Sequence, residues 1–229
     1  MIDLHFAATP NGWKVTIALE ELGLPYHVVP VNIGAGEQFA PDFLAISPNN
    51  RIPAIVDHAP ADGGAAVSVF ESGAILLYLA QKTGRLMPAD LRGRVHVTEC
   101  LMWQMGGLGP MLGQIGHFRL YAPDRIAYAT DRYAREADRL YGVLDRQLAR
   151  TGAFVAGAAF SIADIACFPW IITHKAQGID MGAFPHVARW FADLRQRPAV
   201  KAGTAVGRMA RPDEIGEDAK RVMMGIERK

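Results

Sequence analysis

The sequence is poor in cysteine, and this shortage disfavours several kinds of chemistry. Its 229 residues include only two cysteines, Cys100 and Cys167, which lie far apart and form no CxxC pair. This spacing argues against a disulfide framework, a metal site and a built-in dithiol centre. Because both cysteines lie in apolar helical patterns, we expect each thiol to fill core space, where burial raises its pKa and makes it inert.

Net charge and long apolar runs are scarce as well. The formal charge is only +1 at pH 7, which gives no global field to attract nucleic acid or an anionic membrane. No apolar run approaches the roughly 20 residues of a membrane span, and residues 1–10 contain neither a basic leader nor a long apolar core. We therefore expect a cytoplasmic protein that binds neither nucleic acid nor membranes.

The first 84 residues alternate between strand and helix patterns. The predicted strands are residues 2–6, 26–33, 53–57 and 67–70, and the predicted helices are residues 13–23, 38–47 and 71–84. The order β-α-β followed by β-β-α predicts a thioredoxin-like domain with mixed strand pairing. The loop 7-AATPNGWKV-15 stands where such a domain would keep its reactive cysteines, yet it contains none.

The rest of the chain predicts a helical domain. Residues 85–91 read as a linker, and helical patterns then cover residues 92–118, 125–150, 162–177 and 186–197. We predict an α+β protein, with the thioredoxin-like domain at 1–84 and an all-α helical-bundle domain at 92–203. Residues 204–229 carry mixed charge and few large apolar groups, so we expect a C-terminal tail that is exposed or partly disordered.

One polar pair in the helical half is assigned to folding. In 160-FSIADIACFPW-170, Ser161 precedes an apolar helix and Asp164 follows three residues later, a variant of the capping box. Such side chains bind backbone amides that a helix start leaves unpaired, which stabilises a helix by about 1 kcal/mol. Neither residue is therefore predicted to be catalytic.

Three segments together carry a resemblance to a known family. They are 47-SPNNRIPAIVD-57, 71-ESGAILLYLAQKTG-84 and 161-SIADIACFPW-170. In this order they resemble the cytosolic glutathione transferases, and the resemblance covers essentially residues 1–200. It implies a glutathione cosubstrate and a homodimer.

Further segments are similar to one class of that superfamily. They are 9-TPNGWKVTIALEE-21, 101-LMWQMGGLGPMLGQ-114 and the pair Arg132-Tyr133. These resemble the bacterial Nu class, whose members include a glutathione-dependent disulfide-bond oxidoreductase. The resemblance implies that glutathione is bound by Asn11, Gln38, Ile52, Pro53, Glu71, Ser72 and Arg132, with Arg132 supplied by the partner subunit.

The chemistry of glutathione explains why the resemblance includes the pairs Ile52-Pro53 and Glu71-Ser72. In the family the bond between Ile52 and Pro53 is cis, and the backbone of Ile52 then pairs with the cysteinyl backbone of glutathione. Glu71 and Ser72 open a helix, where free amides favour an anion, so Ser72 can bind the γ-glutamyl carboxylate and Glu71 the ammonium. Taken alone, these motifs would read as a strand start and a helix cap.

The loop after the first strand offers Thr9 and Asn11 as catalytic residues. A hydroxyl and an amide can donate hydrogen bonds to an anionic sulfur, which lowers the pKa of a thiol from about 8.5. Neither side chain can form a mixed disulfide. The reactive sulfur must therefore come from the substrate.

The sequence leaves three functions open. The Nu-class resemblance favours two glutathiones side by side, one attacking a small disulfide and the other resolving the product, with peroxide reduction as a secondary activity. A conventional transferase would join one glutathione to a small electrophile. A non-catalytic glutathione-binding partner protein is the third alternative.

Overall fold

The computed structural model describes residues 1–210, 214–223 and 225. The chain divides into two compact units, one made of residues 1–83 with the described residues from 202 onward, the other of residues 84–201. The first unit contains a four-stranded sheet, whereas residues 84–201 form helices and a single isolated bridge. The predicted α+β fold class is confirmed.

The first unit follows the predicted element order. Its elements are β1 (Ile2–Phe6), α1 (Pro10–Leu22), β2 (Tyr26–Pro30), a 3₁₀ turn (Glu37–Phe39), α2 (Pro41–Ile46), β3 (Ala54–Asp57), β4 (Val67–Phe70), α3 (Ser72–Thr83) and α11 (Glu217–Met223). The sheet order is β2-β1-β3-β4. β1 runs parallel to β2 and antiparallel to β3, and β3 is antiparallel to β4. The mixed pairing expected from the sequence is therefore present.

A buried carboxylate fixes α3 against the sheet. Asp57, at the end of β3, accepts hydrogen bonds from Tyr78 Oη and Lys82 Nζ, each at 2.7 Å. Burial acts to raise the pKa of Asp57, but these bonds and the charge of Lys82 outweigh burial and lower it. The ion pair therefore holds α3 in place.

The second unit is built from helices. They are α4 (Leu91–Trp103), a π-helical turn (Gln104–Leu108), α5 (Gly109–Leu120), α6 (Ala127–Thr151), α7 (Ile162–Ile172), α8 (His174–Gln177), a 3₁₀ turn (Met181–Ala183), α9 (Pro185–Leu194) and α10 (Pro198–Ala205), of which the last ends in the first unit. The helix predicted over 92–118 is interrupted by the π turn. At Gly109, the residue that follows this turn, an added Cβ would lie 2.6 Å from Gln104 Nε2. No described helix is both long enough and apolar enough to span a bilayer.

Ser161 and Asp164 form the predicted capping box at the start of α7. The carboxylate of Asp164 accepts hydrogen bonds from the backbone nitrogens of Val155 and Ser161 and from Trp190 Nε1, at 2.9–3.0 Å. Its complete burial raises the pKa of Asp164 to about 6. This carboxylate belongs to the core of the second unit.

Gly203, just before the segment predicted as a tail, and Val206 within it pack on α1, although most described residues from 204 onward are exposed or half-buried. Thr16 Oγ1 on α1 donates to Gly203 O at 2.8 Å, and Trp13 Nε1 donates to Val206 O at 3.1 Å. In α11, Val222 is buried. The sequence carried little signal for this packing, because both hydrogen bonds end on backbone carbonyls, which every residue possesses. Residues 211–213, 224 and 226–229 of the predicted tail lie outside the described residues.

Candidate active site

Strand register brings four chain segments to one end of the sheet. His5 of β1 lies opposite Ala54 of β3, which lies opposite Phe70 of β4. Phe6 pairs with Pro30, and β1 and β2 are parallel, so β2 ends at the same edge. The loop after β1, the chain leaving β2, the chain entering β3 and the chain leaving β4 therefore start from the same edge, and they carry seven of the eight predicted site residues.

Thr9 and Asn11 lie at the start of α1. The structure places this helix earlier than predicted, with Thr9 as its N-cap and Asn11 in its first turn. Thr9 Oγ1 accepts from the backbone nitrogen of Gly12 at 3.2 Å. Because this bond uses an oxygen lone pair, the hydroxyl hydrogen can still be donated to an anion at the positive end of the helix.

Ile52 and Pro53 lead into β3, and the bond between them is cis, as the resemblance implies. Ile52 is half-buried and packs against a small core cluster that includes Val31 and Phe43. The preceding loop is held by Ser47 Oγ, which donates to Arg51 O at 2.8 Å. Packing and hydrogen bonding therefore fix this segment at the sheet edge.

Glu71 and Ser72 lie at the junction between β4 and α3. Glu71 has a φ of 69°, a left-handed conformation that is uncommon for residues other than glycine and recurs at functional sites. Its carboxylate accepts from Asn49 Nδ2 at 3.2 Å. Ser72 is only 3% exposed and lies at the first position of α3. The junction therefore presents a carboxylate and a buried hydroxyl at a helix start.

Sequence reasoning missed Lys14, which contacts this junction. Its side chain is 1% exposed, and its Nζ donates to Ser72 Oγ at 3.2 Å. The available signal was a lysine between Trp13 and Val15 on the buried side of α1. Long cationic side chains usually reach water, so a lysine at that position could have been singled out.

Gln38 lies in the 3₁₀ turn that follows β2. It is 6% exposed, and its Nε2 donates to Ile33 O at 3.1 Å. Its Oε1 is buried and has no hydrogen-bond partner among the described residues. A buried acceptor without a donor costs free energy, so this oxygen fits a role in binding a ligand N–H group.

Arg132 belongs to the second unit and is not part of the set gathered by the sheet. It is exposed on α6. It lines a cavity of about 370 Å³ together with Met111, Tyr133, Arg135, Glu136 and Arg139. Within this wall Arg139 and Glu136 form an ion pair at 2.7 Å. Arg132 and Arg135 remain as additional positive charges, so the lining has a net positive charge.

Neither cysteine belongs to the unit that contains the sheet. Both lie in the second unit; Cys167 fills core space as predicted, whereas Cys100 is only half-buried. Burial raises the pKa of Cys100 to about 11, so its thiol stays protonated at neutral pH. Among the described residues no three His, Cys, Asp or Glu side chains are grouped so as to hold a metal ion.

Family models match both parts of the chain. Residues 3–81 match the glutathione S-transferase N-terminal domain, and residues 108–198 match the glutathione S-transferase C-terminal domain. A solved structure of a glutathione transferase family member from Pseudomonas fluorescens, with two glutathione bound, superposes with a TM-score of 0.83 at 43% identity and covers 89% of this chain and 92% of that one.

Curated relatives agree with this match. The chain is 54% identical over 199 residues to disulfide-bond oxidoreductase YfcG of Escherichia coli, covering 87% of this chain and 92% of that protein. It is 35% identical over 231 residues to the transcriptional regulator URE2 of Saccharomyces cerevisiae, covering 84% of this chain and 64% of that protein. The chain belongs to the glutathione S-transferase family.

Proposed function

We propose that this protein is a glutathione-dependent disulfide-bond oxidoreductase whose reacting sulfurs all come from bound thiols and substrate. The observation that carries the proposal is the pairing of a glutathione-type sheet edge with an absence of usable protein thiols. Residues 1–83 contain no cysteine, and burial raises the pKa of Cys100 to about 11. The 54% identity to YfcG, which is named a disulfide-bond oxidoreductase, supports the same reaction.

In the proposed site the tripeptide lies across the sheet edge. Ser72 and the α3 amides hold the γ-glutamyl carboxylate, and Glu71 holds the ammonium. The backbone beside Pro53 binds the cysteinyl residue, with Ile52 presenting its main-chain groups, and Gln38 completes the contacts. Thr9 and Asn11 are then left to face the sulfur at the start of α1.

The reaction needs two thiols and one disulfide. Hydrogen bonds from Thr9 and Asn11, together with the α1 amides, favour the thiolate over the thiol. This thiolate attacks one sulfur of the substrate disulfide, forming a mixed disulfide and expelling the other sulfur as a thiolate. A second glutathione thiolate attacks the glutathione sulfur of that mixed disulfide, giving glutathione disulfide and the second substrate thiol. One disulfide is thereby reduced as two glutathiones are oxidised.

We also propose that each site binds two glutathiones and that the protein acts as a homodimer. The Pseudomonas fluorescens relative holds two glutathione, which supports two molecules per site here. Arg132, in its cationic cavity wall, is proposed to reach the site of the partner subunit in a homodimer, since a closed two-fold interface lets each subunit complete the other's site. We further propose a Nu-class enzyme of the cytoplasm, with small disulfides, and secondarily peroxides, as substrates.

Paired assays test the reaction. Glutathione-dependent reduction of 2-hydroxyethyl disulfide, coupled to glutathione reductase, is run beside conjugation of an aryl halide. We expect fast disulfide turnover and little conjugation. Fast conjugation with little disulfide turnover would make the protein a conventional transferase. Binding of glutathione without either activity would favour a non-catalytic glutathione-binding partner protein.

A cysteine-free variant tests the source of the sulfur. Cys100→Ser combined with Cys167→Ala removes every protein thiol. We expect the folded variant to retain disulfide turnover, because neither cysteine is reactive in the proposed mechanism. Loss of turnover per folded molecule would contradict a mechanism that relies on glutathione thiols alone.

A further inference from the structure

Lys14 places a buried positive charge beneath the start of α3. Its side chain is 1% exposed, although it is a long cationic residue of a kind that seldom leaves water. The Nζ atom lies 3.2 Å from Ser72 Oγ, and Ser72 is itself buried. The ammonium is therefore directed inward, toward the first residue of a helix.

This placement is electrostatically unusual. The N-terminus of α3 (Ser72–Thr83) carries the positive end of the helix dipole and free backbone amides. The positive end of a helix repels a cation. An anion bound at the same point would be attracted both by the helix dipole and by the Lys14 ammonium. Lys14 and Ser72 each make further interactions, so what matters is how much Lys14 adds to the binding of an anion at Ser72.

The hydrogen bond also restricts the directions open to the Ser72 hydroxyl. A serine hydroxyl has one hydrogen to donate and two lone pairs to accept with. Because Lys14 donates to Oγ, it occupies a lone pair and favours an orientation in which the hydroxyl hydrogen is given to another acceptor. A carboxylate is the strongest acceptor that glutathione could bring to this point.

We propose that Lys14 is a positioning and specificity-determining residue for the γ-glutamyl carboxylate, an inference that rests on the proposed function. A carboxylate oxygen about 2.7 Å from Ser72 Oγ lies within about 6 Å of Lys14 Nζ, given the 3.2 Å between Nζ and Oγ. At that separation a poorly hydrated charge pair attracts strongly. Lys14 thereby selects thiols that carry this carboxylate over thiols that lack it.

Binding of two ligands tests the assignment. Calorimetry compares glutathione with 4-aminobutyryl-cysteinylglycine, which is glutathione without the γ-glutamyl α-carboxylate. In the natural protein we expect glutathione to bind about 10- to 100-fold more tightly than the analogue. In Lys14→Met most of this preference is lost, because glutathione binds more weakly while the affinity for the analogue stays the same.

Two further variants provide the controls. Lys82→Met removes another mostly buried lysine of the same unit, one that pairs with Asp57, and should cost stability while keeping the preference for glutathione. Lys14→Arg keeps the charge and should retain part of the preference. If Lys14→Met does not fold, the same comparison is made with Lys14→Gln, which keeps a donor for Ser72 and removes the charge.

The outcomes separate this inference from the reaction itself. Equal weakening of both ligands in the Lys14 variants would make the residue structural and overturn the assignment, as would an unchanged preference. If the natural protein binds glutathione with the expected preference and reduces no disulfide, the proposed reaction fails while the role of Lys14 stands.

Discussion

At the scale of single residues, a substitution at Asn11 can test the proposed catalysis without removing a helix cap. It lies in the first turn of α1 beside the N-cap Thr9, whose hydroxyl also holds the Gly12 amide. The cap therefore serves the helix as well as the proposed thiolate, whereas Asn11 is not the cap. This difference makes Asn11 the cleaner position at which to test the proposed chemistry.

Asn11→Ala should lower disulfide turnover about 10- to 100-fold, because a donor to the thiolate is lost. Its stability should change by less than about 1 kcal/mol, since the N-cap remains. The measurement is turnover per folded molecule, with the pKa of bound glutathione followed by ultraviolet absorbance of the thiolate. Unchanged turnover in a folded variant would remove the proposed role.

Asp164 is the opposite case, a buried carboxyl group that serves the fold. Asp164→Ala removes the acceptor of three buried N–H groups, from Val155, Ser161 and Trp190. We expect a loss of about 2–4 kcal/mol in the free energy of unfolding, measured in urea. The conservative Ser161→Thr, which keeps the cap hydroxyl, is the matched control and should lose much less.

The same carboxyl group gives stability a pH dependence. Burial raises the pKa of Asp164 to about 6 from its ordinary value of 3.8, so between these values the folded state binds a proton that the unfolded state does not. Its contribution is therefore largest at low pH and is lost as the pH rises through about 6. This component should be missing from the pH profile of Asp164→Ala, and an identical profile in both proteins would contradict it.

At the scale of elements, the chain beyond Lys201 supports α1. Gly203 lies so close to this helix that an added Cβ would be 2.6 Å from the backbone nitrogen of Ile17. Thr16 bonds to Gly203 O and Trp13 to Val206 O. The helix whose N-terminus holds Thr9 and Asn11 is thus packed on one side by this segment.

Gly203→Ala should therefore lower stability by about 1–3 kcal/mol, since the backbone atoms it meets cannot move aside. It should also raise the KM for glutathione, because a shift of α1 misplaces the residues at its start. Gly216→Ala is the matched control, as a Cβ there meets nothing within 4 Å. Equal effects of the two substitutions on stability and KM would contradict the supporting role.

At the scale of the whole molecule, the proposed role of Arg132 can be tested by mixing subunits. Co-refolding Asn11→Ala and Arg132→Ala chains produces mixed dimers. If Arg132 acts across the interface, one of the two sites in each mixed dimer has both natural residues, because both substitutions fall in the other site. In a random 1:1 mixture about half of the dimers are mixed and each has one natural site, so we expect turnover well above the mean of the two parent variants, at about a quarter of the natural value.

Arg135→Ala in place of Arg132→Ala is the control, since Arg135 lines the same cavity without a predicted ligand role. Turnover of the Asn11 and Arg132 mixture that equals the mean of its parents would show that Arg132 does not act on the partner's site. A monomer in sedimentation velocity would exclude the homodimer altogether.

The sequence by itself determined the family, the α+β fold class and the absence of cysteine from residues 1–83. These follow from local patterns: strand and helix periods, the capping box of Ser161 and Asp164, and short motifs whose meaning does not depend on distant residues. α1 begins three residues before the predicted start, because Thr9, Pro10 and Asn11 suit a turn as well as a helix cap.

Only the tertiary structure decided the contacts between residues far apart in sequence. Lys14 and Ser72 are 58 residues apart, and no spacing rule pairs a lysine on one helix with the start of another. The packing of Gly203 and Val206 on α1 uses backbone carbonyls, which carry no side-chain signature. Caps, turns and short motifs depend on residues that are neighbours in sequence. The environment of a buried charge depends on segments that are distant in sequence and meet only in the folded chain.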